Sequence, residues 1–277
     1  MLNYDEIIIT LLFISLLAWE YSSGLYRKHK RSLDEWLVDG ISFLQLGLIK
    51  PVVVLMGFSL GALVFADQQD SLTTLPFWLG FLLVFLPDDF LHYWIHRLTH
   101  NHPVLWGIHR THHSASVYQI SIAFRENWLA YVVMPGFWWS GLMIYLGLIE
   151  QVLLSTTLIG VHNVWLHSGS TWDQKLYTNR LTGRAMKIFE YFINTPGLHR
   201  VHHGLGKNGV PMGNYGQTLF IWDVLFATAT FNQGKLPEYY GTYNPDTMRQ
   251  PWYFHLWWPL CKKRPATVAN LHTETGS

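Results

Sequence analysis

Long apolar runs separated by short polar segments occupy the first two thirds of the chain. A helix needs roughly 20 apolar residues to cross the hydrocarbon core of a bilayer. Five runs reach or approach that length: Ile7 to Trp19, Ile41 to Ala66, Leu72 to Leu91, Trp128 to Ile149 and Gln151 to His167. We therefore predict an all-α fold, a multi-span transmembrane helical bundle of four to five spans.

The polar segments between these runs predict the topology. The basic sequence RKHKR, Arg27 to Arg31, follows the first run and indicates the cytoplasmic side, whereas the acidic turn Asp67 to Ser71 suits the opposite side. Lys50-Pro51 interrupts the second run and predicts a kink or a position near an interface. The opening MLNYDEI has no basic region and the first run lacks a small-residue cleavage site, so we expect a retained span rather than a signal peptide.

The chain divides into three regions on this pattern. Residues 1–70 hold the N-terminal spans, residues 71–235 hold the remaining spans and a polar, aromatic cap from Ser168 to Thr230, and residues 236–277 follow. In the last region, Pro251 to Arg264 mixes aromatic and basic residues, which is typical of a segment lying in the headgroup layer. The final residues, PATVANLHTETGS, are expected to be disordered.

Composition supports a membrane protein and excludes several classes of function. Charged residues make up 13% of the 277 residues, about half the share of a soluble domain. The net charge of +1 leaves no basic stripe for phosphates, so no nucleic-acid partner is expected. Cys261 is the only cysteine in the sequence, which excludes a disulfide framework, a thiolate zinc site and a four-cysteine iron–sulfur cluster.

Histidine is unusually abundant, with 15 residues, and most of them lie in three short windows. HRLTH places His96 and His100 at positions i and i+4. On a helix, HxxHH places its three imidazoles on one face. Imidazole is the commonest metal ligand in proteins, and eight such side chains match two ions rather than one. We therefore predict a dimetal site held by the cap; its box ligands are His96, His100, His109, His112, His113, His199, His202 and His203.

His92 leaves the first window open to two readings. It stands one turn before His96, so His92, His96 and His100 form a ladder from which spacing alone does not choose two ligands. Asp88 and Asp89 lie in the same apolar run, where charges are costly unless they are used. We favour His96 and His100 as ligands, with His92 or Asp89 orienting a ligand ring.

Asn163 and His167 form another i, i+4 pair, in NVWLH at the end of the last apolar run. One reading is a polar helix end that meets water. The other is a ninth metal ligand, His167, with Asn163 holding a metal-bound water. The isolated histidines are expected to be ordinary polar groups: His29, His102, His255 and His272.

The boxes HRLTH, HRTHH and HRVHH, in this order and spacing, resemble those of the fatty acid hydroxylase / sterol desaturase superfamily of integral-membrane di-iron oxygenases. The flanks DFLHYWIHR, NTPGLHRVHHG and NYGQTLFIWDVLFAT agree, and the resemblance covers Leu75 to Thr230. It implies that the eight box histidines bind iron, that His167 corresponds to the extra histidine of an NxxxH helix in related desaturases, and that residues 71–235 form the catalytic domain. The sequence FINTP before the third box is similar to the alkylglycerol monooxygenase branch, which uses tetrahydropterin, although Gly197-Leu198 stand where that branch has a more polar pair.

This resemblance implies a reaction, cofactors and partners. The expected activity is O2-dependent hydroxylation or desaturation of an aliphatic C–H bond in a membrane lipid, carried out by two iron ions on the cytoplasmic side. The sequence has no dinucleotide fingerprint, haem-binding appendage or iron–sulfur cysteines. An external electron donor is therefore expected, either tetrahydropterin or a protein of the cytochrome b5 or ferredoxin type. Arg125, Glu126 and Asn127, in FRENW, either meet the lipid headgroup or form a packed loop.

Three other functions fit histidine-rich membrane proteins. A zinc or copper hydrolase would pair histidines with a general-base carboxylate, as in HExxH, and none of the three boxes contains one. A metal transporter would place its site near the membrane midplane, whereas these histidines cluster at one end of the spans. A b-type cytochrome would leave the HxxHH boxes unexplained.

Overall fold

The computed structural model describes residues 4–23 and 31–261, apart from the side chains of residues 4–6 and 8. Thirteen helices are found there: α1 Tyr4–Ser22, α2 Leu33–Val64, α3 Phe77–Asn101, α4 Pro103–His109, α5 Trp128–Val133, α6 Pro135–Tyr145, α7 Ile149–Leu166, α8 Trp172–Tyr177, α9 Arg180–Phe189, α10 Pro196–His202, α11 Ile221–Leu225, α12 Pro245–Met248 and α13 Trp252–Trp257. Short 3₁₀ helices cover Ala66–Gln68, His112–Ser114 and Ile120–Phe124. The two-residue strands β1 Gly204–Leu205 and β2 Tyr239–Tyr240 pair antiparallel. The predicted helical fold is confirmed.

One helix in the described part of the chain, α2, is long and apolar enough to cross a membrane. It begins with a capping box, in which Ser32 Oγ accepts from the backbone N–H of Glu35 and the Glu35 carboxylate accepts from the N–H of Ser32. Half of its apolar side chains are exposed, among them Leu44, Leu48 and Leu55, as expected for a helix with one face toward lipid. The four-to-five-span topology and the cytoplasmic position of the cap stay predictions.

Several boundaries differ from the predicted spans. Helix α2 continues through Pro51, so the Lys50-Pro51 step does not end it. The predicted span from Trp128 to Ile149 is divided between α5 and α6 by the extended residue Met134, and Pro135 occupies the first turn of α6. Helix α3 begins after Pro76 and extends to Asn101, so the first histidine box continues the same helix as the apolar run before it.

Helices α2 and α6 make the most extensive contact in the bundle. Two glycines allow it: a Cβ on Gly57 would overlap the carbonyl oxygen of Trp138, and one on Gly141 would overlap that of Val54. Small residues of this kind let helix backbones approach closely where the surrounding lipid supplies no hydrophobic driving force between helices. This close packing joins α2 and α6 into one part of the bundle that supports the histidine-bearing segments.

The cap consists of short helices and loops fastened to α3 by a buried carboxylate. Asp89 accepts hydrogen bonds from the backbone N–H groups of Thr218 and Leu219, at 2.9 and 3.1 Å, and from the indole of Trp222 at 2.8 Å. The oxygens of Asp89 thus hold the segment before and within α11, and the expected role of Asp89 in orienting a histidine ring stays a prediction. The Arg27 to Lys30 part of the basic marker and the expected tail lie outside the described residues, and the domain limits stay predictions.

Candidate dimetal centre

Nine histidines meet in the interior as two adjoining groups. In each group the ligand-capable nitrogens all lie within 4.8 Å of one another. The five-histidine group consists of His96, His100, His109, His113 and His202; the four-histidine group consists of His112, His167, His199 and His203. These are the nine histidines proposed as ligands from the sequence, so the chain brings together every one of them. His92 belongs to neither group.

Each histidine box is presented by a different local structure. His96 and His100 lie on the last turns of α3. The second box is not a single α-helix, as its spacing had suggested, because α4 ends at His109 and His112 begins a 3₁₀ helix after a turn. The third box occupies α10, whose first turn is capped by the Thr195 hydroxyl accepting from the N–H of Leu198 at 3.3 Å.

Both HxxHH boxes are shared between the two groups in the same manner. The first and last histidines of a box belong to one group, and the middle histidine belongs to the other. His109 and His113 thus join the five-histidine group while His112 joins its neighbour, and the third box reverses this assignment. The groups touch through His113 and His203, whose rings are stacked with centroids 4.3 Å apart. Each HxxHH box therefore supplies histidines to both groups.

Backbone carbonyls fix the orientation of three of the rings. The Nδ1 atoms of His96 and His202 lie 2.7 and 2.8 Å from the carbonyl oxygens of Tyr215 and Gly213, and Nδ1 of His167 lies 2.8 Å from that of its neighbour in the previous turn. A carbonyl accepts only, so each Nδ1 carries the proton and each Nε2 has a free lone pair. Such bonds are the usual outer support of metal-binding histidines.

The free nitrogens have the spacing that a metal ion requires. In the four-histidine group, Nε2 of His199 lies 3.1 Å from that of His167 and 3.2 Å from that of His203. Nitrogens bound about 2.1 Å from a divalent ion lie about 3.0 Å apart at neighbouring octahedral corners and about 3.4 Å apart in a tetrahedron. In the five-histidine group, Nε2 of His96 and of His202 is buried without a hydrogen-bond partner, which a metal would satisfy. The residues fit two metal ions.

Burial keeps the histidines of the second and third boxes neutral. Exclusion from water lowers the pKa of His112, His199 and His203 well below the usual value. The same cause lowers the pKa of His113 and His202 well below it. A neutral imidazole is the form that binds a metal ion, so the protonation state suits the proposed ligand role.

An arginine follows the first histidine of every box and makes contacts away from the imidazoles. The guanidinium of Arg97 donates to the Tyr93 hydroxyl at 3.1 Å. That of Arg110 stacks on the Phe254 ring, 4.3 Å from its centroid. Arg200 donates to Asp173 at 3.1 Å and to a backbone carbonyl at 2.7 Å. Arg110 and Arg200 therefore join their boxes to more distant parts of the chain, and Arg97 contacts its own helix, all outside the two groups.

Glu126 lies in a packed loop, one of the two placements that the sequence leaves open, and its backbone N–H and carbonyl both bond to the Ser42 hydroxyl. What the sequence does not indicate is that its side chain reaches the site: Oε1 of Glu126 lies 3.3 Å from Nδ1 of His112 and 4.0 Å from Nδ1 of His109. Burial raises its pKa well above the usual value. Its neighbours do form a packed loop: Arg125 is paired with Asp39 at 2.5 Å, and Asn127 donates to the carbonyls of residues 255 and 258.

The other proposed supporting residues lie beside the site. The Asn163 side chain donates to the carbonyl of Ala123 at 2.8 Å, and its own backbone carbonyl is the partner of His167. The His92 ring lies edge-on to that of His96, with centroids 5.8 Å apart. Both residues line the cavity described next, and their roles stay predictions.

An apolar cavity of about 530 Å³ adjoins both histidine groups. Helices α1, α2, α3, α6 and α7 form its walls, with apolar side chains that include Phe43, Leu46, Phe137 and Ile159. The carboxylate of Asp88 also reaches it, in space left by Gly136, whose missing Cβ would overlap that carboxylate. A volume of this size is typical of small-molecule binding sites.

Comparison with known proteins identifies the family. The fatty acid hydroxylase family matches residues 81–228, just over half of the chain. Alkylglycerol monooxygenase of Xenopus tropicalis is 29% identical over 218 residues, 77% of this chain and 45% of that protein, and the human protein of that name is 27% identical over 245 residues, 86% and 50% of the two chains. Lathosterol oxidase of Rattus norvegicus is 28% identical over 165 residues, 55% of this chain and 46% of that one.

The chain thus spans about half the length of the curated relatives that it matches. No solved structure matches it significantly. The matched region contains all three histidine boxes, and the nine imidazoles meet where those boxes converge. The resemblance read from the boxes is confirmed: the chain belongs to the fatty acid hydroxylase family.

Proposed function

We propose that this protein is a membrane-bound, O2-dependent oxygenase that hydroxylates or desaturates an aliphatic C–H bond of a lipid with two iron ions. The main observation behind the proposal is that nine neutral imidazoles, arranged in two groups, lie next to an apolar cavity. The matched relatives are named as a monooxygenase and as a sterol oxidase, which supports an oxidoreductase acting on lipid.

The histidines supply the geometry for this chemistry. His96, His202 and His167 are turned by backbone carbonyls so that Nε2 faces the centre of its group. When bound there, iron would supply the reduction of O2 and the oxidation of an unactivated C–H bond, which protein side chains do not perform. The protein in turn holds the substrate, excludes water and orients the ligands.

The cavity favours a long apolar substrate. Its walls are mainly aliphatic and aromatic, and His109, His112 and His199 line one part of it. A lipid chain placed along it would bring a methylene group beside the imidazoles. The names of the relatives refer to an alkylglycerol and a sterol; for this chain we propose a membrane lipid without assigning its headgroup.

Electrons would come from a separate donor, a tetrahydropterin or a cytochrome b5-like or ferredoxin-like protein. We also propose a multi-pass topology with the site on the cytoplasmic side, which rests on the apolar helices and on the basic sequence after the first of them. Neither proposal changes the expected products.

The direct test is oxidation of lipids by the purified full chain. The protein, prepared anaerobically and loaded with ferrous iron, is mixed with a membrane lipid extract, a chemical reductant and ¹⁸O2, and products are analysed by mass spectrometry. Hydroxylation adds one ¹⁸O atom, and desaturation removes two hydrogens without adding oxygen. The control variant His202→Ala should give neither product.

Other outcomes would assign the protein elsewhere. Products that take oxygen from H2¹⁸O and need no reductant, from protein that retains zinc, would support the hydrolase. Uptake of metal into sealed vesicles without any lipid product would support the transporter. A Soret band in the purified protein would indicate haem.

A further inference from the structure

Helix α9 exposes two separate kinds of surface on the outside of the cap. Successive residues of a helix are turned by about 100° around its axis. The side chains of α9 therefore fall into three separate sectors. Leu181, Ile188 and Phe189 share one sector and are 78%, 65% and 44% exposed. A third sector, about 120° from the centre of the apolar one, packs on the protein through the buried Met186. The helix already packs on the protein through the Met186 sector. Apolar side chains this exposed in another sector indicate contact with a further apolar environment.

A cationic sector lies next to the apolar one. Arg180, Arg184 and Lys187 fall within about 60° of one another around the axis. Among the residues that the structure describes, none of these three side chains has an acidic partner or a hydrogen bond. An amphipathic helix with an apolar sector and a flanking basic sector is the arrangement that lies in a membrane interface and attracts anionic lipids.

The contacts of the segment after α9 agree with a location of this helix at the membrane interface. The segment that follows it is joined to α7, where Nε2 of His162 lies 3.1 Å from the carbonyl oxygen of Asn194. His162 is about one turn from the end of α7, and the outward-facing Leu153 and Leu158 of that helix are 38% and 45% exposed. The segment that leaves α9 is therefore anchored near the end of an apolar helix of the bundle.

Aromatic side chains occur at the end of α7 and just after α9. Trp165, on the last turn of α7, stacks on Trp172 at the start of α8, with ring centroids 6.0 Å apart. Phe192, just after α9, is 56% exposed. Tryptophan and other aromatic residues are enriched at the border between hydrocarbon and water.

We infer that α9 lies flat on an anionic lipid leaflet, with Leu181, Ile188 and Phe189 among the acyl chains and its three cations against acidic headgroups. The size of the apolar sector favours a lipid surface over an acidic protein partner, for which the cations alone would serve. This inference does not depend on the reaction or on the metal. It assigns to the cap a second contact with the membrane, separate from the spanning helices.

The test measures the surroundings of α9 in the full chain. In a Cys261→Ser background, a nitroxide is attached at Ile188→Cys or, as a control on another exposed part of the cap, at Lys207→Cys. Each protein is placed in nanodiscs of phosphatidylcholine with or without phosphatidylglycerol. Power saturation then compares the collision of the label with O2, which concentrates in lipid, and with a water-soluble nickel chelate.

The label at Ile188 should favour O2 over the nickel chelate, more strongly when phosphatidylglycerol is present, and the label at Lys207 should favour the chelate. Changing Arg180, Arg184 and Lys187 together to glutamate should abolish the dependence on phosphatidylglycerol, whereas Lys235→Glu, elsewhere on the cap, should preserve it. A label at Ile188 that favours the chelate in both lipids would overturn the inference. Spin–spin broadening between labels would also overturn it, because it would show a second copy covering this face. Lipid contact that is equal in both lipids would refute the anionic preference.

Discussion

Glu126 gives the sharpest test of how the protein holds two ions. Glu126→Gln keeps the shape of the side chain and removes a charge that lies 3.3 Å from Nδ1 of His112 and 4.0 Å from that of His109. Neither histidine group, as the described residues define them, contains a carboxylate. Two divalent ions would bring four positive charges among neutral ligands, so a nearby carboxylate has an electrostatic role that an amide does not replace.

The size of the effect follows from opposing contributions. The neutral imidazole rings separate the carboxylate from the ligand nitrogens, and unit charges about 7 Å apart attract by about 2 kcal/mol at an effective dielectric constant of 20. Burial, which raises the pKa of Glu126, offsets part of that attraction because the charged carboxylate loses its hydration. Loss of a group that supports a metal-bound histidine usually weakens metal affinity by about 10- to 100-fold, or about 1.4–2.8 kcal/mol. We expect the upper part of this range, since Glu126 faces one histidine of each group.

The assay is an anaerobic titration with ferrous iron against a competing chelator. Glu126→Gln should require about 10- to 100-fold more free iron for half-saturation, and Glu126→Asp should recover part of the loss. The matched control is Glu150→Gln, an exposed acid in the first turn of α7. Equal iron affinity in Glu126→Gln and Glu150→Gln would refute the electrostatic role assigned to Glu126.

Three further predictions concern the metal, the protons and the packing. His202→Ala should remove at least one of two irons per chain, measured by elemental analysis, whereas His255→Ala, a buried histidine outside both groups, should leave both. In chelator-treated protein, the cap histidines have a depressed pKa when folded and about 6.5 when unfolded; the unfolded chain therefore binds more protons below that pH, and the thermal midpoint should fall between about pH 7.5 and about pH 5.5. An unchanged midpoint would contradict the neutral cluster. Gly141→Ala should destabilise the protein by about 1–3 kcal/mol through overlap with α2, and Gly40→Ala, where a Cβ meets nothing within 4 Å, should not; equal unfolding midpoints would refute the close packing of α2 and α6.

The sequence predicts the ligands well because they are repeated at helical spacings. HxxxH and HxxHH carry their own geometry, and the apolar runs before them predict the helices on which they lie. The alternative that spacing left open is answered in part: His96 and His100 share a group, and His92 stands one turn away from it. His167 lies with the second group, which supports the ninth-ligand reading over a solvated helix end.

The supporting contacts could not be read from the sequence, because they join residues that are far apart along the chain. The carbonyl that orients His96 belongs to Tyr215, and the segment that engages Asp89 begins at Thr218. A backbone carbonyl has no signature in the residue type, and a carboxylate such as Glu126 can serve many partners. The break after His109 was also hidden, because a 3₁₀ turn retains nearly the same histidine spacing as an α-helix.

Each HxxHH box is divided between the two histidine groups. Metal binding at one group is therefore coupled to metal binding at the other. An ion captured by His109 and His113 would fix the segment that carries His112, and an ion captured by His199 and His203 would fix the segment that carries His202. The second ion would therefore bind to a segment whose ordering had already been completed. Protein supplied with half its complement of iron should separate in native mass spectrometry into fully loaded and metal-free chains, with few chains carrying a single ion.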